Sequence, residues 1–165
     1  MKRYYIAYGS NINIHRMRDR CPTAELLGTA MLKGWELMFK RSMTGAYLTL
    51  EEKPGGSVPV VIWSVSAEDE QKLDRCEGYP VCYYKRKIRL EYEGISTGKM
   101  RTVRGFTYIM PEGREYGIPS DRYMDICLTG YRTFEFDKRL LYEARRESTR
   151  RMIRSMRWSV YDFKR

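Results

Sequence analysis

The segment from Tyr4 to Asn13 constrains the fold most, because an aromatic, apolar run stops abruptly at a small polar loop. The run has the composition of a buried strand and ends at Gly9-Ser10-Asn11, after which residues 12–20 have helical composition. A strand that leads through a tight loop into a helix presents several free backbone N–H groups at one place, which favours binding of a phosphate or a carboxylate. A simpler interpretation is equally open, in which Gly9 supplies a turn and Asn13 caps the helix.

The chain of 165 residues is long enough for one domain whose hydrophobic core needs no metal or disulfide. Apolar residues make up 42% of it and 14 residues are tyrosine, a composition typical of folded globular proteins. No run of 18 apolar residues occurs, and the N-terminus lacks a charged segment followed by an apolar one. We therefore expect no membrane insertion and a cytoplasmic location.

Cysteine and histidine are too few and too scattered for a metal centre. The cysteines are Cys21, Cys76, Cys82 and Cys127, without a CxxC pair, and His15 is the only histidine. We expect partly buried thiols without disulfides, no metal ion and no other cofactor. Motifs of serine hydrolases, zinc proteases and nucleotide-binding loops do not occur in the sequence. If the protein is an enzyme, a carboxylate, a tyrosine or a lysine must therefore move its protons.

Most of the positive charge is concentrated at one end of the chain. Residues 138–165 carry ten lysines and arginines against three acids, which accounts for 7 of the net charge of +10. Such a stretch could attract nucleic acid or an acidic partner, but it is more often the solvated face of a helix. Aromatic residues that could stack on bases lie among these charges, at Tyr142, Trp158, Tyr161 and Phe163. Because a solvated helix face is the more common case, nucleic-acid binding is not the favoured interpretation, but these aromatic residues leave it open.

Strands dominate the first two-thirds of the chain and helices gather at its end. The predicted strands are Arg3–Tyr8, Ala24–Leu32, Trp35–Arg41, Ala46–Leu50, Val58–Val65, Tyr83–Tyr92 and Arg101–Met110. Turn residues at Gly34, Gly45 and Pro54-Gly55-Gly56 are expected to separate the earlier ones. We predict one α+β domain over residues 1–165, with an antiparallel or mixed sheet that can close into a barrel and is flanked by helices.

Three more helices are predicted after the helical segment at residues 12–20. The earliest of these three begins at Ser66, where Ser66-Ala67-Glu68-Asp69 resembles a capping box, and ends at Gly78-Tyr79-Pro80. The second begins at Ser120. The last follows Asp137 as a basic extension over about residues 137–165, and its core-facing stripe is Leu140, Leu141, Ala144, Ser148, Met152 and Met156.

Glu77 is the most unusual of the 21 acids. It follows Leu73 and Cys76 on the predicted core-facing side of its helix and precedes the helix end at Gly78. The negative end of the helix dipole and partial burial among aromatic side chains would both raise its pKa toward the range of a general acid or base. A surface glutamate at a frayed helix end is the alternative.

Four short motifs together resemble the gamma-glutamyl cyclotransferase superfamily over roughly residues 3–135. They are Tyr8-Gly9-Ser10-Asn11 after a strand, Leu73-Asp74-Arg75-Cys76-Glu77-Gly78-Tyr79-Pro80 with Tyr84, Gly105-Phe106-Thr107-Tyr108, and Pro119-Ser120-Asp121-Arg122-Tyr123 with Ile126 and Gly130. Each motif is individually weak, but their order and spacing agree. The resemblance implies a small mixed, barrel-like sheet flanked by helices.

The resemblance also implies roles for particular residues. Glu77 matches the family's catalytic glutamate, and Tyr84 and Tyr108 match tyrosines that line its pocket. The backbone of the matching strand and loop would hold the alpha-carboxylate of a gamma-glutamyl group; its residues are Tyr5, Ile6, Ala7, Tyr8, Gly9, Ser10 and Asn11. The basic helix after Asp137 lies outside the match.

The implied reaction suits a chain without a catalytic triad. The alpha-amine of the substrate attacks its own gamma-carbonyl, which closes a lactam and releases 5-oxoproline and an amine. The enzyme then needs only to hold the substrate folded and to move a proton with one carboxylate. The identity of the amine and the oligomeric state stay open. The alternative is a non-enzymatic module that binds anions or nucleic acid with the loop and the arginine-rich helix.

Overall fold

A computed structural model describes the backbone of residues 1–162 and the side chains of residues 1–159. Its strands are β1 (Arg3–Ala7), β2 (Glu25–Ser42), β3 (Gly45–Val65), β4 (Tyr84–Gly94) and β5 (Met100–Ile109). Its helices are α1 (Ile14–Arg20), α2 (Ala67–Glu77), α3 (Asp121–Thr133) and α4 (Arg139–Asp162), with a 3₁₀ turn at Ser10–Ile12. None of the helices in the described part is both long and apolar enough to cross a membrane.

The five strands close into a barrel in the order β1-β3-β2-β4-β5. Strand β1 runs antiparallel to β3 and meets β5 in parallel, with Tyr5 opposite Phe106, and the remaining pairs are antiparallel. Gly28 allows β2 to approach β4, since a Cβ at this position would lie 1.9 Å from the carbonyl oxygen of Glu93. The predicted α+β class with a mixed, barrel-like sheet is therefore confirmed.

The expected division of the β2–β3 hairpin into four strands is wrong. Strands β2 and β3 are continuous over 18 and 21 residues. Pairing runs from Lys33 opposite Ser57 directly to Trp35 opposite Glu52, so residues 53–56 form a bulge. The Pro54-Gly55-Gly56 sequence bends one strand without ending it, because the partner strand continues on both sides of the bulge.

Helix α3 packs against the turn that follows β1. A Cβ at Gly130 would lie 2.8 Å from the backbone nitrogen of Asn13, so only glycine permits this approach. Asn13 caps α1 by accepting from the backbone N–H of Arg16 at 3.1 Å, and its Nδ2 donates to the carbonyl of Ile126 in α3 at 3.1 Å. The loop after β1 is thereby fixed between the barrel and α3.

Helix α4 docks on β2 through a narrower stripe than expected. Leu141, Ala144 and Ser148 are buried, but Met156 is exposed. The hydroxyl of Ser148 accepts from the backbone N–H of Phe39 at 2.8 Å. Residues 163–165 lie outside the described part of the chain, as does the side chain of Tyr161.

One arginine of α4 belongs to a partly buried ionic network. Arg151 contacts Glu51 at 3.1 Å and Glu147 at 2.9 Å, and Glu51 also pairs with the buried Lys40 at 2.8 Å. The hydroxyl of Tyr116 donates to Glu51 at 2.8 Å. The basic helix is therefore not solvated all round, since one of its charges holds it on the sheet.

Candidate active site

The two ends of α2 are fixed by local sequence, and this determines where Glu77 lies. At the N-terminus the Ser66 hydroxyl accepts from the N–H of Asp69 at 3.0 Å, and the Asp69 carboxylate accepts from the N–H of Ser66 at 3.1 Å. At the C-terminus Gly78 adopts a left-handed conformation with φ of 63°. The predicted capping box and helix end are both present, so Glu77 is the last residue of the helix.

Residues on the same side of α2 as Glu77 are tied to β4 and β5. Asp74 accepts a hydrogen bond from the Tyr108 hydroxyl at 2.5 Å and pairs with Lys85 at 2.7 Å. Lys85 also pairs with Glu70, one turn earlier on the helix, at 2.6 Å. These contacts fix the rotation of α2 about its axis, and with it the direction of Glu77, which follows Glu70 by seven residues on nearly the same face of the helix.

Glu77 contacts the side-chain amide of Asn11 in the loop after β1 and the guanidinium of Arg20 in α1. Its Oε1 accepts from Asn11 Nδ2 at 3.3 Å and lies 3.2 Å from Arg20 Nη1. Asn11 is itself oriented, because its Nδ2 also donates to the Tyr5 hydroxyl at 2.9 Å and its Oδ1 accepts from Arg20 at 2.9 Å. The indole N–H of Trp63 donates to the carbonyl of Asn11 at 3.2 Å. The carboxylate is therefore held in one orientation.

Burial raises the pKa of Glu77 above its usual range. Arg20 and the hydrogen bond from Asn11 act in the opposite direction, because both stabilise the carboxylate form. The Glu77 side chain is only 17% exposed, so desolvation outweighs these contacts. A carboxylate with a raised pKa can accept a proton near neutral pH more readily than a free glutamate.

A cavity of about 330 Å³ opens beside Glu77. Its walls come from the loop after β1, from α1, from the β2–β3 hairpin, from α3, from the end of α2 and from the segment after α2. The lining residues are Ser10, Arg16, Arg20, Ser42, Met43, Thr44, Tyr47, Arg75, Cys76, Glu77, Gly78, Cys82, Tyr83 and Tyr123. This volume is within the range of small-ligand sites.

The loop after β1 presents backbone donors close to this cavity. In its 3₁₀ turn, the first backbone bond runs from the N–H of Ile12 to the carbonyl of Gly9, at 3.1 Å. The N–H groups of Ser10 and Asn11 therefore precede the first bond of the turn and have no partner within it. Ser10 lines the cavity, which places this part of the loop within reach of a ligand there.

The other residues predicted to bind substrate lie behind the cavity or beside it. Tyr5 and Asn11 form the support behind Glu77, and Ile6 and Ala7 are buried in the core. The Tyr8 hydroxyl donates to the carbonyl of Tyr108 at 2.5 Å. The Tyr108 hydroxyl reaches Asp74 on α2, and the partly buried Tyr84 faces Ile109 across β4 and β5. Neither Tyr84 nor Tyr108 belongs to the cavity lining in the described part of the chain.

The sequence did not indicate several residues that do line the cavity. Tyr83 and Tyr123 are buried there, and their hydroxyls bond to the carbonyl and the N–H of Leu48, at 2.9 and 3.3 Å. Arg16 and Arg20 also line the cavity, and their spacing of four residues on α1 is a signal that could have placed both on one helix face.

A second groove, of about 390 Å³, lies between the bulge of β2–β3 and α4. Most of its charged groups are paired, as Lys53 is with Glu36 at 2.7 Å and Arg151 with Glu147 at 2.9 Å, whereas Glu143 and Arg146 have no ion-pair partner within the described residues. The cavity beside Glu77 combines a carboxylate of raised pKa, backbone N–H groups without a partner in their own turn, and the guanidinium of Arg16, which has no ion-pair partner within the described residues. It is therefore the better candidate for a catalytic site.

Comparisons with known proteins relate this chain to one family. Residues 5–125 match a family model described as "Gamma-glutamyl cyclotransferase, AIG2-like". The chain is 29% identical over 133 residues to the gamma-glutamylcyclotransferase of Homo sapiens, covering 76% of this chain and 68% of the relative. It is 29% identical over 147 residues to the Bos taurus protein of the same name, and the match covers 82% of this chain and 76% of the relative. A solved structure named gamma-glutamyl cyclotransferase superposes with a TM-score of 0.68 at 26% identity, covering 90% of this chain and 87% of the other.

Proposed function

The chain belongs to the gamma-glutamyl cyclotransferase, AIG2-like family, and on that premise we propose that it is a cofactor-free enzyme that converts a small gamma-glutamyl substrate to 5-oxoproline. The alpha-amine of the substrate attacks the gamma-carbonyl carbon. A C–N bond forms within the glutamyl group, the original gamma-amide C–N bond breaks, and an amine leaves. The reaction consumes no water.

The cytoplasmic location expected from the sequence stays a prediction.

The observation that carries this proposal is the position of Glu77. Its carboxylate lies at a cavity of suitable size, is fixed by Asn11 and Arg20, and has a pKa raised by burial. We propose that Glu77 takes a proton from the substrate ammonium and returns it to the departing nitrogen. Such a general acid–base residue typically contributes about 10²–10⁴-fold to the rate.

The remaining part of the rate comes from holding the two ends of the glutamyl group together. Well-oriented intramolecular reactions gain up to roughly 7–11 kcal/mol over bimolecular ones. We propose that the backbone N–H groups around Gly9 and Ser10 bind the alpha-carboxylate, which aims the alpha-amine at the gamma-carbonyl. The hydrogen bonds of Tyr5 and Asn11 support this arrangement, since they fix the loop and Glu77 relative to each other. Direct contacts of Tyr84 and Tyr108 with substrate stay predictions.

The proposal is tested by measuring 5-oxoproline release from a panel of gamma-glutamyl dipeptides and gamma-glutamylamines with purified protein. We expect turnover of at least one compound, with stoichiometric release of 5-oxoproline and the amine. Release of glutamate in place of 5-oxoproline would show hydrolysis and would overturn the proposed chemistry. Absence of turnover across the panel would favour a binding module.

A further inference from the structure

Helix α4 has apolar residues on its outer side as well as on the side that faces the sheet. Its inner stripe is already packed, since Leu141, Ala144 and Ser148 are buried. On the outer side Ile153 and Met156 are exposed. A helix of a small domain normally presents polar residues to solvent opposite its packed face. The outer apolar residues of α4 are therefore a feature that packing within this chain does not explain.

These residues belong to one continuous patch. Tyr142 precedes Ile153 by eleven residues, close to three helical turns, and Met156 follows Ile153 by three, so all three share one side of α4. Ile118, just before α3, is exposed and lines one shallow depression together with Tyr142 and another together with Met156. Four exposed apolar side chains thus lie side by side, and such a grouping marks a contact surface more often than single exposed residues do.

Arginines border the patch along α4. They are Arg145, Arg146, Arg150, Arg154 and Arg157. Arg150 pairs with Glu147, but none of the other four forms an ion pair within residues 1–159. The acids at the same surface are Asp121 and Glu143, near the beginning of α3 and of α4. The patch therefore has an excess of positive charge that the chain itself does not neutralise.

The arrangement favours a lipid surface over other anionic partners. A second copy of the chain would place two sets of arginines against each other. A protein groove that encloses a basic helix would need the inner side of α4, which is packed on β2. Single-stranded nucleic acid stacks its bases on aromatic rings, whereas Ile118, Ile153 and Met156 have none. An anionic lipid surface attracts arginines and accepts apolar side chains at the level of its headgroups.

We propose that the outer side of α4, together with Ile118, binds the surface of a membrane that contains anionic lipids. The apolar side chains enter the headgroup region, and no segment spans the bilayer. Within the described part of the chain, no residue of α4 lines the cavity beside Glu77, so this surface and the proposed catalytic site are separate. The inference does not depend on the proposed reaction.

The test is sedimentation of the full chain with lipid vesicles. We expect binding to vesicles of phosphatidylcholine and phosphatidylglycerol in equal amounts and none to phosphatidylcholine alone. Arg146→Gln with Arg150→Gln should weaken binding by about 10- to 30-fold, because each basic residue near an anionic surface contributes roughly 5-fold. Ile153→Ser with Met156→Ser should weaken it by about 5-fold or more, because the apolar contribution is lost.

The chain offers a matched control for each variant. Lys87→Gln with Arg89→Gln removes two positive charges from exposed positions of β4. Ile95→Ser with Met100→Ser removes the same two residue types; these are 53% and 62% exposed, against 44% and 51% for the isoleucine and methionine of α4. Both control variants should bind the mixed vesicles nearly as the wild type does. Circular dichroism shows that each variant is folded, and Arg154→Gln with Arg157→Gln replaces the first arginine pair if that variant is not.

Three outcomes would overturn the inference. The first is no binding of the wild type to the mixed vesicles. The second is a loss of binding in a control variant as large as in the matching variant of α4, or no loss when Ile153 and Met156 are replaced. The third is submicromolar binding of a single-stranded RNA oligonucleotide, weakened by the arginine variant, at a salt concentration where the mixed vesicles do not bind. That result would assign the surface to nucleic acid. Turnover is not used in this measurement, so its outcome is independent of the proposed function.

Discussion

Asn11 Nδ2 donates a 3.3 Å hydrogen bond to Oε1 of Glu77, joining two residues that lie 66 positions apart in the sequence. Arg20 Nη1 contacts both of them, at 2.9 Å to Asn11 Oδ1 and 3.2 Å to Glu77 Oε1. The loop after β1, the end of α1 and the end of α2 thus converge on one carboxylate. The pKa of Glu77 is set by the balance between its burial and these two partners.

Removing the Asn11 amide should move the pH dependence of catalysis. The amide stabilises the carboxylate form of Glu77, so Asn11→Ala should raise its pKa further, and the acidic limb of kcat/KM should shift to higher pH. Asn13→Ala is the control, since Asn13 is also buried but bonds to Arg16 N–H and the Ile126 carbonyl. The measurement is kcat/KM from about pH 4 to pH 9 for the wild type and both variants. An acidic limb of Asn11→Ala that stays in place or moves to lower pH would contradict the role given to Asn11.

Replacing the carboxylate of Glu77 should remove most turnover. Glu77→Gln keeps the shape of the side chain and an oxygen for Arg20, but the amide cannot accept the proton, so kcat should fall by about 10²-fold or more. Glu68→Gln, on the exposed side of the same helix, should behave as the wild type. Wild-type kcat in a folded Glu77→Gln protein, as judged by circular dichroism, would remove Glu77 from the mechanism.

The sequence was sufficient for the parts of the site that depend on local signals. The capping box at Ser66, the helix end at Gly78 and the strand before Gly9 all depend on residues within a few positions of each other. The same holds for the individual strands of the barrel, because alternating apolar residues identify strands regardless of their partners. Gly34 and Pro54-Gly55-Gly56 were mistaken for turns between strands, since their conformations depend on the partner strand that continues opposite them.

The parts that could not be predicted are contacts between distant segments. The pairing of Arg20 with Glu77 spans 57 positions, and the spacing of Arg16 and Arg20 places them on one face of α1 without showing which residue that face contacts. Likewise, Tyr83 and Tyr84 are adjacent, but only Tyr83 lines the cavity, because successive residues of an extended segment point to opposite sides.

The raised pKa of Glu77 predicts a stability effect with a definite sign. A folded-state pKa above the unfolded value means that the folded protein binds the proton more tightly, so the stabilisation is present at low pH and is lost as pH rises through the folded pKa. Glutamine does not titrate. The Tm of Glu77→Gln relative to the wild type should therefore increase from about pH 4 to pH 7. Calorimetry at several pH values tests this, and a relative Tm that decreases would mean that Arg20 and Asn11 outweigh burial.

The loop after β1 should tolerate one added carbon but not a branched side chain. A Cβ at Gly9 would lie 3.4 Å from the Tyr123 hydroxyl and 3.6 Å from Leu48 Cβ, which is ordinary contact. Gly9→Ala should bind 5-oxoproline nearly as the wild type does, whereas Gly9→Val should bind it more weakly, because its methyl groups crowd the approach of ligand to the backbone. Titration calorimetry measures the difference. A crystal soak with the anion bound elsewhere and the loop empty would count against the assignment.

The exposed arginines of α4 separate the enzyme from a nucleic-acid-binding module. Arg146 and Arg150 are exposed and do not line the cavity beside Glu77, so Arg146→Glu combined with Arg150→Glu should leave kcat/KM nearly unchanged. Arg151→Glu is the contrasting variant; it should lower the Tm, since it places a like charge beside Glu51 and Glu147. Any RNA or DNA binding by the wild type should be weak and fall steeply with salt, because it would rest on phosphate contacts alone. Submicromolar, salt-resistant binding that the double variant abolishes would favour the nucleic-acid module.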